Sequence, residues 1–148
     1  WVWLGESLFE LVEEYIDGPE FTVGFFDGEC LGALEVVPGE AFYDYEAKYE
    51  SDETEYRIVE EPGMLKRLEA AGRLAYQTLG CRGVARVDFM ARTERSDQIL
   101  YALEVNTIPG MTATSLVPKL AKHRGVSFER FAELMLSTAT LDEKAGSG

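Results

Sequence analysis

The fold is decided by two strand-like stretches joined by the polar turn Arg92–Gln98, which read Val84-Ala-Arg-Val-Asp-Phe-Met-Ala91 and Ile99-Leu-Tyr-Ala-Leu-Glu-Val-Asn106. Alternation along a strand places Arg86 and Asp88 on one face of the first stretch. It places Glu104 and Asn106 on one face of the second. A hairpin with its turn near Ser96 sets Asp88 opposite Glu104, and the same register sets Arg86 opposite Asn106. The sequence therefore predicts four polar groups on one face of an otherwise apolar hairpin.

This acidic face requires a positive charge. Two carboxylates directly opposite each other repel, and burying either one without a partner costs several kcal/mol. Carboxylate and amide oxygens are hard ligands, so Mg²⁺ or Mn²⁺ fits the face better than zinc. The alternative is that Arg86 neutralises the pair in an ordinary salt-bridge network on a solvated sheet face. The hairpin by itself leaves both interpretations open.

The segment after the second stretch favours a binding site. Asn106 is followed by the Pro109-Gly110 turn and by a helix predicted from about Ser115 to His123. Backbone N–H groups at a helix N-terminus bind carboxylate or phosphate groups well. The alternative is that Thr114 or Ser115 serves as a simple N-cap.

The remaining sequence completes an α+β pattern. Asp27-Gly28 is a preferred pair for a tight turn, so it predicts a hairpin of Phe21–Phe26 with Cys30–Val37. A helix is expected to start at Pro62 and end before Gly80. Further expectations are a strand-like but ambiguous Glu10–Ile16, an irregular acidic segment over Pro38–Glu61, and a last helix capped by Ser127 with Val126 and Phe131 as a hydrophobic staple.

The composition of the chain limits the classes of molecule that it is expected to bind. The 148 residues include 14 Lys and Arg against 27 Asp and Glu, a net charge of −13. Such a chain repels a nucleic-acid backbone and an anionic membrane surface, so neither is expected as a partner unless metal ions and a few placed cations invert the local field. No apolar run approaches the roughly 18–20 residues that span a bilayer. Because the two cysteines cannot form a disulfide framework, we expect a cytoplasmic protein.

Three groups of residues together resemble the C-terminal part of the bacterial D-alanine–D-alanine ligases, which belong to the ATP-grasp superfamily. The groups are Glu13-Glu-Tyr-Ile-Asp-Gly-Pro-Glu-Phe-Thr-Val23; Phe42-Tyr-Asp-Tyr-Glu-Ala-Lys-Tyr49; and Gly80-Cys-Arg-Gly-Val-Ala-Arg-Val-Asp88 with Glu104-Val-Asn-Thr-Ile-Pro-Gly-Met-Thr112 and Ser115-Leu-Val-Pro-Lys119. The resemblance covers about Leu11 to Met135. It implies an ATP-grasp C-terminal subdomain over 11–138, with an antiparallel sheet, flanking helices and a long lid loop over 38–61. Residues 1–10 are then an unmatched segment and residues 139–148 a flexible tail.

The resemblance also implies a reaction and its residues. ATP would phosphorylate the carboxylate of one D-alanine, and the amine of a second D-alanine would attack the acyl phosphate to form a dipeptide for peptidoglycan synthesis. The implied metal ligands for two Mg²⁺ or Mn²⁺ are Asp88, Glu104 and Asn106, with Glu104 bridging. The implied catalytic groups are Arg86 at the phosphoryl group, Gly110 at the oxyanion, Tyr49 in the lid, and Ser115, which with Leu116 would bind the second D-alanine.

The implied ATP contacts are Glu13, Tyr15, Ile16, Phe42 and Leu103 around adenine, Glu20 at the ribose, and Lys48 and Arg86 at the phosphates. For Tyr15 and Phe42, a place in the hydrophobic core is the alternative, because a stacking pocket and a core edge look alike in sequence. For segment 38–61, the alternative is an acidic surface loop without a function.

Two broader alternatives stay open. One is a non-catalytic binding module that acts through the aromatic segment Trp1–Phe9. The other is a D-alanine–D-lactate ligase, against which Tyr49 argues, because the depsipeptide-forming variants of the family tend to lack tyrosine there. Since the match covers only a C-terminal part, we expect this chain alone not to ligate D-alanine at a useful rate. A homodimer is compatible with the complete enzyme.

Overall fold

The computed structural model describes residues 13–37, 54–94 and 97–140. The predicted segment 1–10 and most of the predicted tail 139–148 lie outside these residues. The elements in chain order are β1 (Glu20–Phe26), β2 (Glu29–Val37), β3 (Glu55–Ile58), α1 (Pro62–Thr78), β4 (Val84–Glu94), β5 (Asp97–Asn106), α2 (Leu116–His123) and α3 (Phe128–Thr138).

The strands form one antiparallel sheet in the order β3-β2-β1-β4-β5. The predicted α+β class is therefore confirmed. The hairpin of β1 and β2 is confirmed as well, and its two turn residues both have positive φ, 47° at Asp27 and 81° at Gly28. This backbone twist matches the twist of the flanking strands, which is why Asp-Gly is favoured at the turn.

The predicted helix α1 is confirmed, and its ends follow from local chemistry. Glu61 is the N-cap, and its carboxylate accepts hydrogen bonds from the N–H groups of Gly63 and Met64. At the other end, the Gly80 N–H donates to the Gln77 carbonyl and the Cys81 N–H donates to the Tyr76 carbonyl. These two bonds form a Schellman motif, which requires the positive φ of 63° at Gly80.

Helix α1 covers one face of the sheet and encloses the main core. The core contains Leu68 and Tyr76 of the helix and the alternating apolar residues of the central strands: Phe21, Val23, Phe25, Ala33, Ala85, Val87, Phe89 and Ala91. Gly72 allows the helix to approach β1 closely, since a Cβ added there would lie 2.8 Å from the ring of Phe25.

The opposite face carries α2, which packs against β1 and β2. Gly24 of β1 makes room for the helix, because an added Cβ would lie 2.8 Å from the Leu120 side chain. Behind α2, the last helix packs Phe131 into a second cluster with Val84 and Val117. The predicted cap is confirmed, since the Ser127 hydroxyl accepts from the Arg130 N–H, and Val126 packs against the same cluster.

Two expectations about irregular segments are corrected. Within the segment Pro38–Glu61, residues Glu55–Ile58 form the edge strand β3, which pairs with Leu34–Val37 of β2. The predicted lid falls mostly on 38–53, outside the described residues. Residues 13–16 of the strand-like stretch form no strand.

The described residues contain two free cysteines, Cys30 and Cys81. In the described part of the chain, no helix combines the length and the apolar character needed to cross a membrane.

Candidate functional site

The predicted register of the central hairpin is confirmed where the polar residues lie. Asp88 pairs with Glu104, and Arg86 pairs with Asn106. Beyond this point the register shifts between Asp88 and Phe89, so that Leu103 is an extra residue on β5. Two residues of a bulged strand oppose one residue of its partner, which places Leu103 and Glu104 together against Asp88. The sequence did not predict this bulge, and the strands run further into the turn than expected.

Arg86 supplies the positive charge between the two carboxylates. Its Nε lies 2.9 Å from Asp88 Oδ1, and its Nη2 lies 2.7 Å from Asp88 Oδ2. The same Nη2 lies 3.2 Å from Glu104 Oε1. These hydrogen bonds raise the pKa of the Arg86 guanidinium, the one to Asp88 most of all. The salt-bridge network considered from the sequence is thus present in the structure.

A third strand completes the face. β1 pairs with β4 so that Thr22 lies beside Asp88, and the Thr22 Oγ1 donates a hydrogen bond of 2.5 Å to Asp88 Oδ1. Glu20 lies on the same face of β1. Partial burial, followed by the negative charge of Asp88, raises the pKa of Glu20, whereas Arg86 lowers it. Sequence reasoning missed Thr22 because it paired β4 only with β5.

The donor atoms on this face fit a hard divalent cation. Asp88, Glu104 and Asn106 offer only oxygen. The Asn106 Oδ1 accepts from the Ile108 N–H at 2.9 Å, which fixes the side chain and leaves a second lone pair. The side chain of Glu104 is 58% exposed and can approach a ligand from the open side. The described residues contain no group of three or more His, Cys, Asp and Glu side chains suited to a metal ion, so such a site needs the amide or the ligands of a substrate.

The loop from β5 to α2 brings Gly110 next to Ser115. A Cβ added at Gly110 would lie 3.0 Å from Ser115 Oγ, so a larger residue would force the Ser115 side chain to move. Ser115 occupies the N-cap position but its hydroxyl makes no capping bond. Instead, Ser115 Oγ accepts from the Thr112 N–H at 3.0 Å. The simple capping bond considered from the sequence is therefore not formed by the Ser115 side chain, and the first N–H groups of α2, beginning at Leu116, receive no bond from it.

The residues expected around adenine are only partly assembled by the described structure. Tyr15 is 83% exposed, so the alternative of a core aromatic is wrong for this residue, whereas Ile16 is buried. The Tyr15 carbonyl accepts from Arg92 at 3.3 Å, which places the segment beside the end of β4. Glu13 is exposed, and Leu103 at the bulge is 52% exposed. Phe42, Lys48 and Tyr49 lie outside the described residues.

Comparisons with known proteins identify the same family. The family model described as "D-ala D-ala ligase C-terminus" matches residues 9–137. A D-alanine–D-alanine ligase of Anaeromyxobacter sp. (strain K) is 46% identical over 135 residues, which are 88% of this chain and 42% of that protein. The chain thus spans about two fifths of the length of this relative.

Solved structures agree with the fold. The D-alanine–D-alanine ligase of Bacillus anthracis in complex with ATP superimposes with a TM-score of 0.70 at 34% identity, over 85% of this chain and 39% of that one. The VanG D-Ala:D-Ser ligase of Enterococcus faecalis gives a TM-score of 0.64 at 29% identity, over 84% of this chain and 37% of that one. With its sheet, its helices and this match over most of its length, the chain belongs to the family of the C-terminal part of D-alanine–D-alanine ligases, with the ATP-grasp C-terminal fold.

Proposed function

We propose that this chain forms the metal-binding and second-substrate side of an ATP-dependent D-alanine–D-alanine ligase. The observation that carries the proposal is the pair Asp88 and Glu104, set opposite each other on one sheet face with the Arg86 guanidinium bonded to both. The relatives and the ATP complex of the Bacillus anthracis enzyme support it. Because the chain spans 42% of the Anaeromyxobacter relative, the complete activity requires the remaining parts as well.

The acidic face would bind the phosphate end of ATP. Asp88, Glu104 and Asn106 would hold two Mg²⁺ or Mn²⁺ ions. When bound, the ions would neutralise phosphate charge and polarise the phosphoryl group that is transferred. Arg86 would turn part of its guanidinium from the carboxylates to that phosphoryl group, where a planar, permanently charged donor is effective.

The opposite end of the nucleotide would lie along the start of β1 and the bulge. Glu20, at the first position of β1, would accept hydrogen bonds from the ribose hydroxyls. Glu13, Tyr15, Ile16 and Leu103 would line the adenine pocket together with Phe42. Lys48 would bind a phosphate. The exposed Tyr15 and Leu103 support this assignment, because they leave apolar surface that a base could cover.

The second D-alanine would bind at the start of α2. Its carboxylate would accept hydrogen bonds from Ser115 and from the Leu116 N–H, while the Gly110 N–H would stabilise the oxyanion. In the reaction, the first carboxylate takes the γ-phosphoryl group from ATP and ADP leaves. The amine of the second D-alanine then attacks the acyl phosphate and displaces inorganic phosphate. Because water would hydrolyse this intermediate, a lid that contains Tyr49 has a chemical purpose.

The proposal includes a cytoplasmic location, because ATP is the co-substrate and the cysteines Cys30 and Cys81 are free. It also allows a homodimer of the complete enzyme. The VanG neighbour favours a second acceptor, D-serine, as an alternative to the second D-alanine. A competition assay with D-alanine, D-serine and D-lactate as acceptors distinguishes these ligases by product.

The binding site itself can be tested on this chain by calorimetry. We expect ATP to bind more tightly with Mg²⁺ than without it. Asp88→Asn and Glu104→Gln should each weaken ATP binding in the presence of Mg²⁺ by about 10-fold or more, and so remove most of the effect of the metal. Glu133→Gln, an exposed change on α3, is the matched control and should behave as the unchanged chain does. ATP binding that is independent of Mg²⁺ and of both carboxylates would contradict the proposal. Absence of nucleotide binding up to millimolar concentration would favour a non-catalytic module.

A further inference from the structure

A buried hydroxyl lies on the acidic face, beside Asp88. Among the described residues, Thr22 and Asp88 are both buried in spite of their polar side chains, at 2% and 8% exposure. They are neighbours in the register of β1 and β4, and the Thr22 Oγ1 donates to Asp88 Oδ1 at 2.5 Å. The two groups therefore satisfy each other inside the sheet.

The hydroxyl divides the Asp88 carboxylate into two unequal oxygens. Oδ1 accepts from Thr22 and from the Arg86 Nε at 2.9 Å. Oδ2 accepts only from Arg86 in these contacts, at 2.7 Å from Nη2 and 3.1 Å from Nε. Arg86 is a long side chain that also reaches Glu104, whereas the Thr22 hydroxyl lies on a β-branched side chain of the central strand. If Arg86 turns towards a phosphate, the bond from Thr22 is the one that keeps the carboxylate in place.

A purely structural role explains this contact less well. Valine has nearly the shape of threonine and a high propensity for buried strands, and its side chain has no polar group that needs a hydrogen bond. The hydrogen bond of the buried Thr22 hydroxyl goes to the Asp88 carboxylate. The bond thus serves the carboxylate rather than the packing of β1.

We propose that Thr22 is a positioning residue for Asp88: its hydroxyl holds Oδ1 against β1 and thereby directs Oδ2 to the divalent cation. The inference rests on the proposed function, because it assumes that Asp88 is a metal ligand. Groups that hold a metal ligand without touching the metal typically contribute 10–100-fold in metal affinity.

The experiment measures Mn²⁺ binding to the full chain by electron paramagnetic resonance of the free ion, with and without ATP. Thr22→Val should weaken Mn²⁺ binding by about 10-fold or more, while Thr22→Ser, which keeps the hydroxyl, should stay within about 3-fold of the unchanged chain. Thr93→Val is the matched control, because Thr93 lies on the same strand as Asp88 but is exposed. Asp88→Asn defines the level without the ligand.

The outcomes separate the two proposals. Weak binding in Thr22→Val with recovery in Thr22→Ser, at an unchanged unfolding temperature, supports the positioning role. Undiminished binding in Thr22→Val overturns that role and leaves the metal site intact. Equal losses in Thr22→Val and Thr22→Ser overturn it too, because the hydroxyl would then not be the cause. If the unchanged chain shows no Mn²⁺ binding that depends on Asp88, the metal site and the positioning role both fail.

Discussion

Arg86 shows how one side chain makes a repulsive arrangement stable. Asp88 and Glu104 are paired on the adjacent strands β4 and β5, and Glu20 lies nearby on the same face. The guanidinium contacts Asp88 with two nitrogens and Glu104 with one. A divalent cation would therefore compete with Arg86 for the same oxygens, while the phosphate that accompanies it would offer Arg86 new acceptors. Metal and nucleotide are thus expected to bind together more readily than either does alone.

Glu20 should make the stability of the fold fall slightly as the pH rises. Because its pKa is raised in the folded state, the folded chain holds the Glu20 proton more tightly than the unfolded chain does. As the pH rises from about 4 to 7, the unfolded state loses this proton first, so the free energy of unfolding decreases. Glu20→Gln removes this decrease. The unfolding temperature of Glu20→Gln, measured relative to that of the unchanged chain, should therefore rise with pH, by no more than about 2 °C over this range.

Thermal unfolding followed by circular dichroism at several pH values measures this gain. Glu60→Gln, at an exposed position before α1, controls for the loss of one negative charge. The expected sign would be refuted if the unfolding temperature of Glu20→Gln, relative to that of the unchanged chain, fell as the pH rises.

At the level of elements, glycine decides how closely the helices approach the sheet. Gly72 brings α1 against Phe25, and Gly24 brings α2 against the opposite face. The two helices therefore pack on opposite faces of the sheet, and Asp88 lies on the same face as α2. A short, charged edge strand such as Glu55–Ile58 depends on backbone pairing with β2, and its residues are mostly exposed.

Gly72→Ala should destabilise the protein although alanine is the better helix former. Propensity alone predicts a gain of up to about 1 kcal/mol in an exposed helix position. Here the new methyl group would lie 2.8 Å from the ring of Phe25, which is fully buried and packs against Tyr76. Overpacking of this kind costs about 1–3 kcal/mol in the free energy of unfolding, which urea titration measures. Ala70→Gly, on the exposed side of α1, is the control, because it measures the effect of helix propensity without a change in core packing. A Gly72→Ala variant that is more stable than the unchanged chain would contradict the packing argument.

At the level of the whole molecule, the proposed site would be shared between this chain and the remaining part of the ligase, because the chain spans only about two fifths of its relative. The acidic face and the start of α2 lie on described residues, and the chain covers 42% of its Anaeromyxobacter relative. The proposed phosphoryl transfer would depend mainly on positioning and charge neutralisation, to which the remaining part of the ligase would also contribute.

The 148-residue chain on its own should therefore not form D-alanyl-D-alanine at a useful rate. Correct positioning of reactants contributes roughly 7–11 kcal/mol to a reaction of this kind, and most of it is lost when the second side of the site is missing. Phosphate release in the presence of ATP, Mg²⁺ and D-alanine measures the activity. Joining the chain to the preceding part of the Anaeromyxobacter ligase should produce release that depends on D-alanine and on Glu104. Release of that kind from the chain alone would contradict this expectation.

The sequence by itself determined those features that depend on neighbours along the chain. The Asp27-Gly28 turn, the ends of α1 and the pairing of Asp88 with Glu104 follow from local backbone preferences and from alternation within one hairpin. Only the tertiary structure placed Thr22 beside Asp88, because these residues are 66 positions apart and the pairing of β1 with β4 is set by the burial of whole strands. The strand β3 was missed for the same reason: backbone bonds to a distant strand stabilise it, and its own side chains carry no clear pattern.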